Sequence, residues 1–332
     1  MIVDLAKINW GILGAANIAR RMVSAINETP NGKVVAIASR NLEKARNFAT
    51  QYGIPKFYGN YSDLLKDKDI SAIYIPVPNH LHKYWTIESA KNQKHVLCEK
   101  PFSLSVKDAE EMFKTCKENN VLVMEAFMYR FNPAIKKIKE LVDQAIIGDL
   151  KYIEFNFSHD IARYIPDTDN YRFQKEFGGG ALFDLGVYGL NICSFLLNAY
   201  PTQVLKSIAI CDDESGIDKS FFGTLKYEED ILCNITASFQ FFGKHLILSG
   251  TKGSIEVPNI ISMNEIPIQV KNANFEIVKS DLSPAYDHYK EQATHFNNCI
   301  INNNEPLITA KETLNMLMTI EELFDSLIRI YK

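Results

Sequence analysis

Ile8-Asn9-Trp10-Gly11-Ile12-Leu13-Gly14-Ala15-Ala16-Asn17-Ile18-Ala19-Arg20 decides the fold of this 332-residue chain. A short apolar stretch runs into a glycine-containing turn, and an amphipathic segment follows over 18–26 with Ile18, Met22 and Ile26 on one face. Strand, tight turn and helix is the context in which a Gly-rich fingerprint cradles a dinucleotide pyrophosphate. Aligned on G-x-G-x-x-G, the positions are Gly14, Ala16 and Ala19. Ala19 is accepted where helix meets sheet, but Ala16 adds a methyl where the pyrophosphate needs close backbone approach. By itself the turn therefore reads equally well as a strand–helix corner of another α/β protein. The second clue lies about twenty residues on, where the apolar strand 33–39 ends at Arg40. An acid there would accept hydrogen bonds from the adenosine ribose, whereas an arginine offers a charge and a planar fork to a 2'-phosphate. Together the two features predict a nicotinamide dinucleotide site that prefers NADP and leaves NAD open.

Outward from this stretch, strands are expected at 56–58, 71–75, 95–99 and 121–125. Helices are expected at 42–52, 61–66, 79–91 (with Asn79 as N-cap) and 105–119. Strands separated by helices of this length predict a doubly wound, mainly parallel sheet covered on both faces. Ligands of such sheets bind at the carboxyl ends of the strands, where Gly14, Arg40, Pro76 and Lys100 fall. After a helix at 133–144 the pattern changes. Strand-like runs at 152–157, 204–211, 221–227, 231–239, 245–248, 254–257, 266–270 and 275–278 are joined mostly by turns too short for parallel crossovers. Helices at 182–197, 286–301 and 310–330 complete the chain. The expected architecture is α/β plus α+β: a Rossmann-like domain over 1–126, then a substrate-binding and oligomerisation domain over 127–332 built on a largely antiparallel open sheet.

Composition narrows the function classes. Lys and Arg total 36 against 40 Asp and Glu, a net charge of -4, which argues against a nucleic-acid backbone binder. The six cysteines are widely spaced without a C-x-x-C, as expected of buried small hydrophobes in a reducing compartment. The N-terminus lacks a basic segment followed by an apolar one, and no 18-residue apolar run stands out, so the expectation is a cytoplasmic protein without a membrane partner. His159-Asp160 and Asp287-His288 have no further ligands at metal-site spacing, so no metal is expected.

Two constellations carry candidate chemistry. Glu99-Lys100-Pro101 ends an inner strand, and Pro101 restricts Lys100 to an extended backbone, with a cis bond left open. A solvated lysine after a strand is the plain alternative. Gly178-Gly179-Gly180-Ala181-Leu182-Phe183-Asp184-Leu185-Gly186-Val187-Tyr188 is the other. Three glycines imply positive φ or close packing, and Asp184 and Tyr188, four residues apart, project from one helix face. Gly186 and Gly189 thin that helix for a neighbouring backbone or ligand. A dipole-stabilised acid and a half-buried tyrosine would look the same. As chemistry, Tyr188 would exchange the proton of a secondary alcohol during hydride transfer. Lys100 would supply the cation that brings the phenol toward neutrality, and Asp184 would orient a sugar hydroxyl or Lys100.

The ordered set Gly11 to Ala19, Asn79 with His82, Glu99-Lys100-Pro101, Glu125-Ala126-Phe127-Met128-Tyr129-Arg130-Phe131 and Gly178 to Tyr188 resembles the glucose–fructose oxidoreductase, inositol dehydrogenase and rhizopine-catabolism oxidoreductase family. Within it the chain is most similar to the dihydrodiol dehydrogenase and xylose dehydrogenase branch, with tyrosine rather than histidine at position 188. The resemblance implies that Lys100, Asp184 and Tyr188 are catalytic. It also implies that Gly14, Ala16, Asn17, Ile18, Ser39, Arg40, Lys44, Pro76, Asn79, His82, Glu99 and Lys100 hold the cofactor, His82 being readable also as a packing histidine. Arg172 joins Lys100, Asp184 and Tyr188 on the substrate side, though a surface arginine reads the same way. The implied reaction is NAD(P)-dependent hydride transfer at a CH–OH carbon of a sugar or vicinal diol. Alternatives are reduction of a dicarbonyl or anhydrosugar, sugar–sugar oxidoreduction with a retained cofactor, and a noncatalytic cofactor-binding sensor. The resemblance further implies a homodimer or homotetramer through the C-terminal sheet.

Overall fold

The computed structural model describes residues 7–161, 163–165 and 169–331. In chain order the first elements are β1 (Ile8–Leu13), α1 (Asn17–Asn27), β2 (Gly32–Ala38), α2 (Leu42–Tyr52), β3 (Lys56–Tyr58) and α3 (Tyr61–Lys66). Then come β4 (Ala72–Ile75), α4 (His82–Lys91), β5 (His95–Cys98), α5 (Val106–Glu118) and β6 (Val123–Glu125). Next are α6 (Pro133–Asp143), β7 (Leu150–Ser158), α7 (Val187–Leu197), β8 (Gln203–Cys211), β9 (Asp218–Lys226) and β10 (Leu232–Ser238). The chain closes with β11 (Gly243–Gly250), β12 (Gly253–Pro258), β13 (Ile266–Asn272), β14 (Ile277–Ser283), α8 (His288–Asn302), α9 (Ala310–Asp325) and β15 (Leu327–Tyr331).

Two compact units result: residues up to Phe131 together with Asp287–Leu314, and Asn132–Tyr286 together with residues from Asn315 onward. In the first, six parallel strands take the order β3-β2-β1-β4-β5-β6. The order reverses between β1 and β4, the switch point beside which open α/β sheets bind ligands. Local sequence explains the helices. Asn41, Asn60 and Ser105 each cap a helix by accepting from a backbone N–H three residues on, and Gly53 ends α2 with φ +64°.

Asn79 does not cap α4. After Pro78 the chain first makes a tight 3-10 turn over Asn79–Leu81, closed by the Leu81 N–H on the Pro78 carbonyl at 2.9 Å. The helix proper then starts at His82 without a side-chain cap.

The segment 287–314 returns to this first unit, a placement that differs from a single division after residue 126. Side-chain chemistry accounts for it. Trp10 is fully buried, its indole N–H donating to Asn297 Oδ1 at 2.9 Å with the Phe296 ring 5.8 Å away. Asn31 donates to Asn298, and Arg21 pairs with Asp287 at 2.6 Å.

The second unit is a nine-stranded sheet in the order β14-β13-β12-β11-β7-β10-β9-β8-β15. It is antiparallel except where β7 meets β10 and β8 meets β15. The expected final helix of 310–330 is shorter: α9 ends at Asp325 and Leu327-Ile328-Arg329-Ile330-Tyr331 adds an edge strand to β8. Those β-branched and aromatic residues favour a pleated surface over another helical turn. The expected strand at 275–278 also shifts, to Ile277–Ser283.

One face of the sheet carries α7, whose Gly189 lies so close to Phe155 and Ile235 that a Cβ would sit 2.4 and 2.9 Å from them. Gly189 thus serves packing rather than ligand approach. The stretch Lys175–Leu197 is long and apolar enough by composition to span a membrane, but 83% of its apolar window is buried, as in a core helix.

Candidate functional site

In the first unit the fingerprint turn has the geometry that its single glycine allows. Gly14 takes φ +129°, a conformation closed to ordinary side chains, and its N–H donates to the Ala38 carbonyl at 3.1 Å. Pro76 and Val77, just past β4, stand beside it, within 3.9 Å of where a Gly14 Cβ would be. α1 starts at Asn17 with extended Ala16 as its cap residue, no side-chain cap and no acid in the first turn. Its first-turn N–H groups and dipole are therefore suited to a phosphate, and Ala15, Ala16, Asn17 and Ile18 form the edge that would receive one.

At the end of β2, Ser39 is buried and its hydroxyl accepts from the Asn41 N–H, while Arg40 is exposed. Lys44, also exposed, lies in the first turn of α2, its N–H capped by Asn41. Between α1 and α2 lies a cavity of about 360 Å³ lined by Ala15, Arg20, Asn41, Lys44, Phe48 and Gln51. Arg20 had not been anticipated from the sequence, although its place one turn into α1, three residues past Asn17, is the signal that could have found it. The donor set of this unit fits a dinucleotide: a glycine turn, an uncapped helix N-terminus, and cations beside the end of β2.

The ends of β4 and β5 hold the other first-unit residues. Asn79 is 4% exposed. Lys100 is half-buried, and the Lys100–Pro101 peptide is cis. The Glu99 carboxylate accepts from the Tyr74 hydroxyl. His82 is completely buried, with Nδ1 2.8 Å from the Pro101 carbonyl and Nε2 2.8 Å from the Val77 carbonyl. Of its two readings this geometry favours packing: the ring ties the loop before Asn79 to the loop after Lys100. Burial pushes its pKa down to about 4. The neutral ring has one N–H and donates to only one of the two carbonyls at a time.

Glu125, at the end of β6, is 1% exposed. It accepts from the Phe102 N–H at 2.9 Å and the Thr313 hydroxyl at 2.7 Å. Burial raises it to about 7, against the lowering effect of these two bonds. It is a structural tie between the segment after Lys100 and the start of α9. Asp287 caps α8 by accepting from the Lys290 N–H, and buried His288 beside it is pushed down to about 4 by desolvation.

The second unit gathers Arg172, Asp184 and Tyr188. Leu182–Gly186 forms a π-helical turn that leads into α7, so Asp184 lies on a widened turn and Tyr188 at the start of the regular helix. Arg172 Nε donates to Asp184 Oδ2 at 3.0 Å, and both side chains are largely buried. Burial opposes the Arg172 charge, yet the Asp184 carboxylate and the Tyr171 and Tyr188 hydroxyls outweigh it and raise its pKa. Tyr188 is 7% exposed and meets the Phe157 ring edge-on at 5.6 Å. His159 and Lys244 flank the same Phe157 ring.

The glycine block is explained by backbone contact. A Cβ on Gly179 would lie 2.6 Å from the Arg172 carbonyl oxygen and 2.7 Å from that of Tyr171. Gly180, at φ +114°, donates its N–H to the Arg172 carbonyl at 3.0 Å. A residue that the sequence reading missed, Asp218 on β9, sits under the block and accepts from the Leu182 N–H at 2.7 Å. Burial raises Asp218 to about 7. Nothing local flags it, because it lies 36 positions from its partner.

Comparison with known proteins agrees with this geometry. A family model described as an oxidoreductase family with an NAD-binding Rossmann fold (GFO/IDH/MocA) matches residues 8–127, and the GFO/IDH/MocA C-terminal domain matches 135–256. Trans-1,2-dihydrobenzene-1,2-diol dehydrogenase of Xenopus tropicalis is 34% identical over 272 residues, 81% of this chain and 81% of that one. D-xylose 1-dehydrogenase (NADP(+)) 2 of Haloferax volcanii is 29% identical over 323 residues, 96% of each. The solved 3-ketoreductase from Actinomadura kijaniata, in complex with NADP and TDP-benzene, is 23% identical. It matches with a TM-score of 0.90 over 98% of this chain and 99% of its own. That likeness is one of fold.

Proposed function

Because the chain belongs to the GFO/IDH/MocA oxidoreductase family and is an NAD(P)-dependent oxidoreductase of CH–OH groups, we propose that it prefers NADP and acts on a pyranose sugar or related vicinal diol. Bound nicotinamide supplies the hydride acceptor or donor. The chain's own residues move the proton. In oxidation the substrate hydroxyl gives its proton to the Tyr188 phenolate as the carbonyl forms, and in reduction the phenol returns it. Lys100 donates a hydrogen bond to that oxygen and stabilises its charge. Asp184 orients the charged groups. The names of the two relatives above, a dihydrodiol and a xylose dehydrogenase, support a cyclic diol or sugar as substrate. The observation that carries the reading is Tyr188 itself, a buried phenol beside the Arg172–Asp184 ion pair rather than a surface tyrosine.

For the cofactor, Ser39, Arg40 and Lys44 would hold the 2'-phosphate and the start of α1 the pyrophosphate. Titration with NADPH and NADH, followed by nicotinamide fluorescence at fixed salt, tests this. NADPH should bind more tightly, and Arg40→Asp should remove that preference while sparing NADH. Equal affinities in the wild type refute the phosphate assignment, and binding of neither nucleotide by folded protein favours a sensor. Turnover is then screened with aldoses and cyclic trans-diols. Tyr188→Phe should lose at least about a hundredfold in kcat, the usual contribution of a general acid–base group, with NADPH binding retained.

A second copy of the chain is proposed to cover the outer face of the nine-stranded sheet. Phe222, Ile208 and Ile328 stand side by side across β9, β8 and β15, with Phe222 36% and Ile328 44% exposed. An apolar row of this kind needs cover. Light scattering that returns the monomer mass at micromolar protein would refute it.

A further inference from the structure

We propose that Arg172 is a positioning residue of the proton-transfer site: it holds the Asp184 carboxylate in place, sets a fixed positive charge beside the Tyr188 phenol, and is itself held by the glycine block. The inference rests on the assignment of Tyr188 as acid/base made above and deepens it. Substrate contact, the role expected of Arg172 from the resemblance, does not require what the structure has built around it.

Three observations bear on this. The Arg172 guanidinium faces inward, with Nε on Asp184 Oδ2 at 3.0 Å and its carbon 4.7 Å from the centre of the Tyr171 ring. Its backbone is fixed at both ends: Asn170 Oδ1 accepts from the Arg172 N–H at 3.2 Å, and the Arg172 carbonyl accepts from Gly180 at 3.0 Å. Gly179 then approaches that carbonyl so closely that any Cβ would collide with it. Glycine at 179 is thus demanded by the backbone that seats the arginine.

The electrostatic consequence follows from mutual coupling. The negative form of Tyr188 is among the charges that favour a charged Arg172, so a charged Arg172 equally favours the phenolate of Tyr188. Asp184 opposes the phenolate and is neutralised by Arg172 itself. His159 and Lys244 meet the same Phe157 ring as Tyr188, and Asp218 lies at the helix start under Leu182. Removing Arg172 would both withdraw a cation and take from the Asp184 carboxylate its ion-pair partner, and each change raises the pH at which Tyr188 loses its proton.

The test is the pH dependence of kcat/KM in both directions for wild type, Arg172→Gln, Arg172→Lys and Tyr188→Phe, with NADP(H) and the best diol or aldose from the screen. Oxidation needs phenolate and rises with pH, whereas reduction needs phenol and falls with pH. In Arg172→Gln both limbs should move to higher pH by about one unit or more, a tenfold change at a fixed pH on the limb. Arg172→Lys, which keeps the charge, should restore most of the shift. Unmoved limbs with only KM raised overturn the inference and return Arg172 to substrate contact. Should Arg172→Gln fail to fold, Gly179→Ala, which displaces the arginine's backbone and keeps its charge, must reproduce the upward shift. Unmoved limbs there overturn the inference equally. Tyr188→Phe separates the two layers. If it keeps its rate and its limb, the acid/base assignment fails and the inference with it. If it loses both while Arg172→Gln keeps its limb, only the inference fails.

Discussion

Gly180→Ala should be among the most damaging single-methyl changes in this protein, and the structure lets its cost be divided. Gly180 has φ +114°, and the new Cβ would lie 1.9 Å from Asp218 Oδ1. Backbone strain in such a region costs about 1–3 kcal/mol. The methyl must also expel the Asp218 carboxylate, which leaves the Leu182 N–H without its acceptor at a further cost of about 1–3 kcal/mol. The sum is about 4 kcal/mol. Gly53→Ala is the control, because Gly53 also has positive φ (+64°) but nothing within 4 Å of its Cβ. Strain alone should then cost about 1–2 kcal/mol. Urea unfolding followed by circular dichroism measures both variants. Gly180→Ala should unfold at a clearly lower urea concentration than Gly53→Ala. It should also lose turnover while still folded, since Gly180 holds the Arg172 carbonyl. Equal midpoints would refute the argument that Asp218, rather than backbone strain, sets the requirement for glycine.

The contribution of Glu125 and Asp218 to stability should fall as pH rises from about 4 to about 7, while that of buried His82 and His288, lowered to about 4, rises over much of the same interval. Glu125 and Asp218 are both raised to about 7 by burial, so between their unfolded and folded pKa values the folded state binds more protons than the unfolded one. Each group contributes stability that is full below its unfolded pKa and lost as pH rises through the folded one, about 3–4 kcal/mol apiece. Glu125→Gln should therefore change Tm more favourably at pH 8 than at pH 5 relative to wild type, and an equal Tm difference at the two pH values contradicts the assignment. Trp10→Phe should destabilise the first unit by about 2–4 kcal/mol, through a cavity and an Asn297 carbonyl left without its indole donor. A loss below about 0.5 kcal/mol, within the range of surface substitutions, would mean that α8 docks by other means. Lys100→Met should cut kcat by about a hundredfold or more, the cost of one oxyanion donor. NADPH affinity should stay within a few-fold, and a change confined to affinity would move Lys100 from chemistry to cofactor binding.

Much of the first unit was legible because its signals are local. The period of apolar residues, Asn41, Asn60 and Ser105 as caps, and Gly53 after α2 all act within a few residues of themselves. Gly14 was legible for the same reason, since its positive φ is a property of one residue. The misreadings share a different cause. Asn79 has the side chain of a cap, but Pro78 imposes a 3-10 turn and moves the helix start to His82. The last residues, read as helix, become β15 because β8 offers an unpaired edge that no local pattern reveals. Trp10 announces burial, but its partner Asn297 is 287 residues away and only the fold brings them together.

The glycine block shows where such reading ends and what replaces it. Its composition says only that side chains are unwelcome, and for Gly186 and Gly189 a neighbouring backbone or a ligand was an equal interpretation. The structure fills the space with the protein itself: Phe155 against Gly189, Asp218 against Gly180, and the backbone of Tyr171 and Arg172 against Gly179. Each contact packs the frame around Asp184 and Tyr188 and the widened helical turn that carries the acid. A proton-transfer group works through charges that are already in place when the reaction occurs. In this unit the glycines meet that condition by letting a buried arginine be held by its backbone, so that its side chain is left to govern the acid and the phenol.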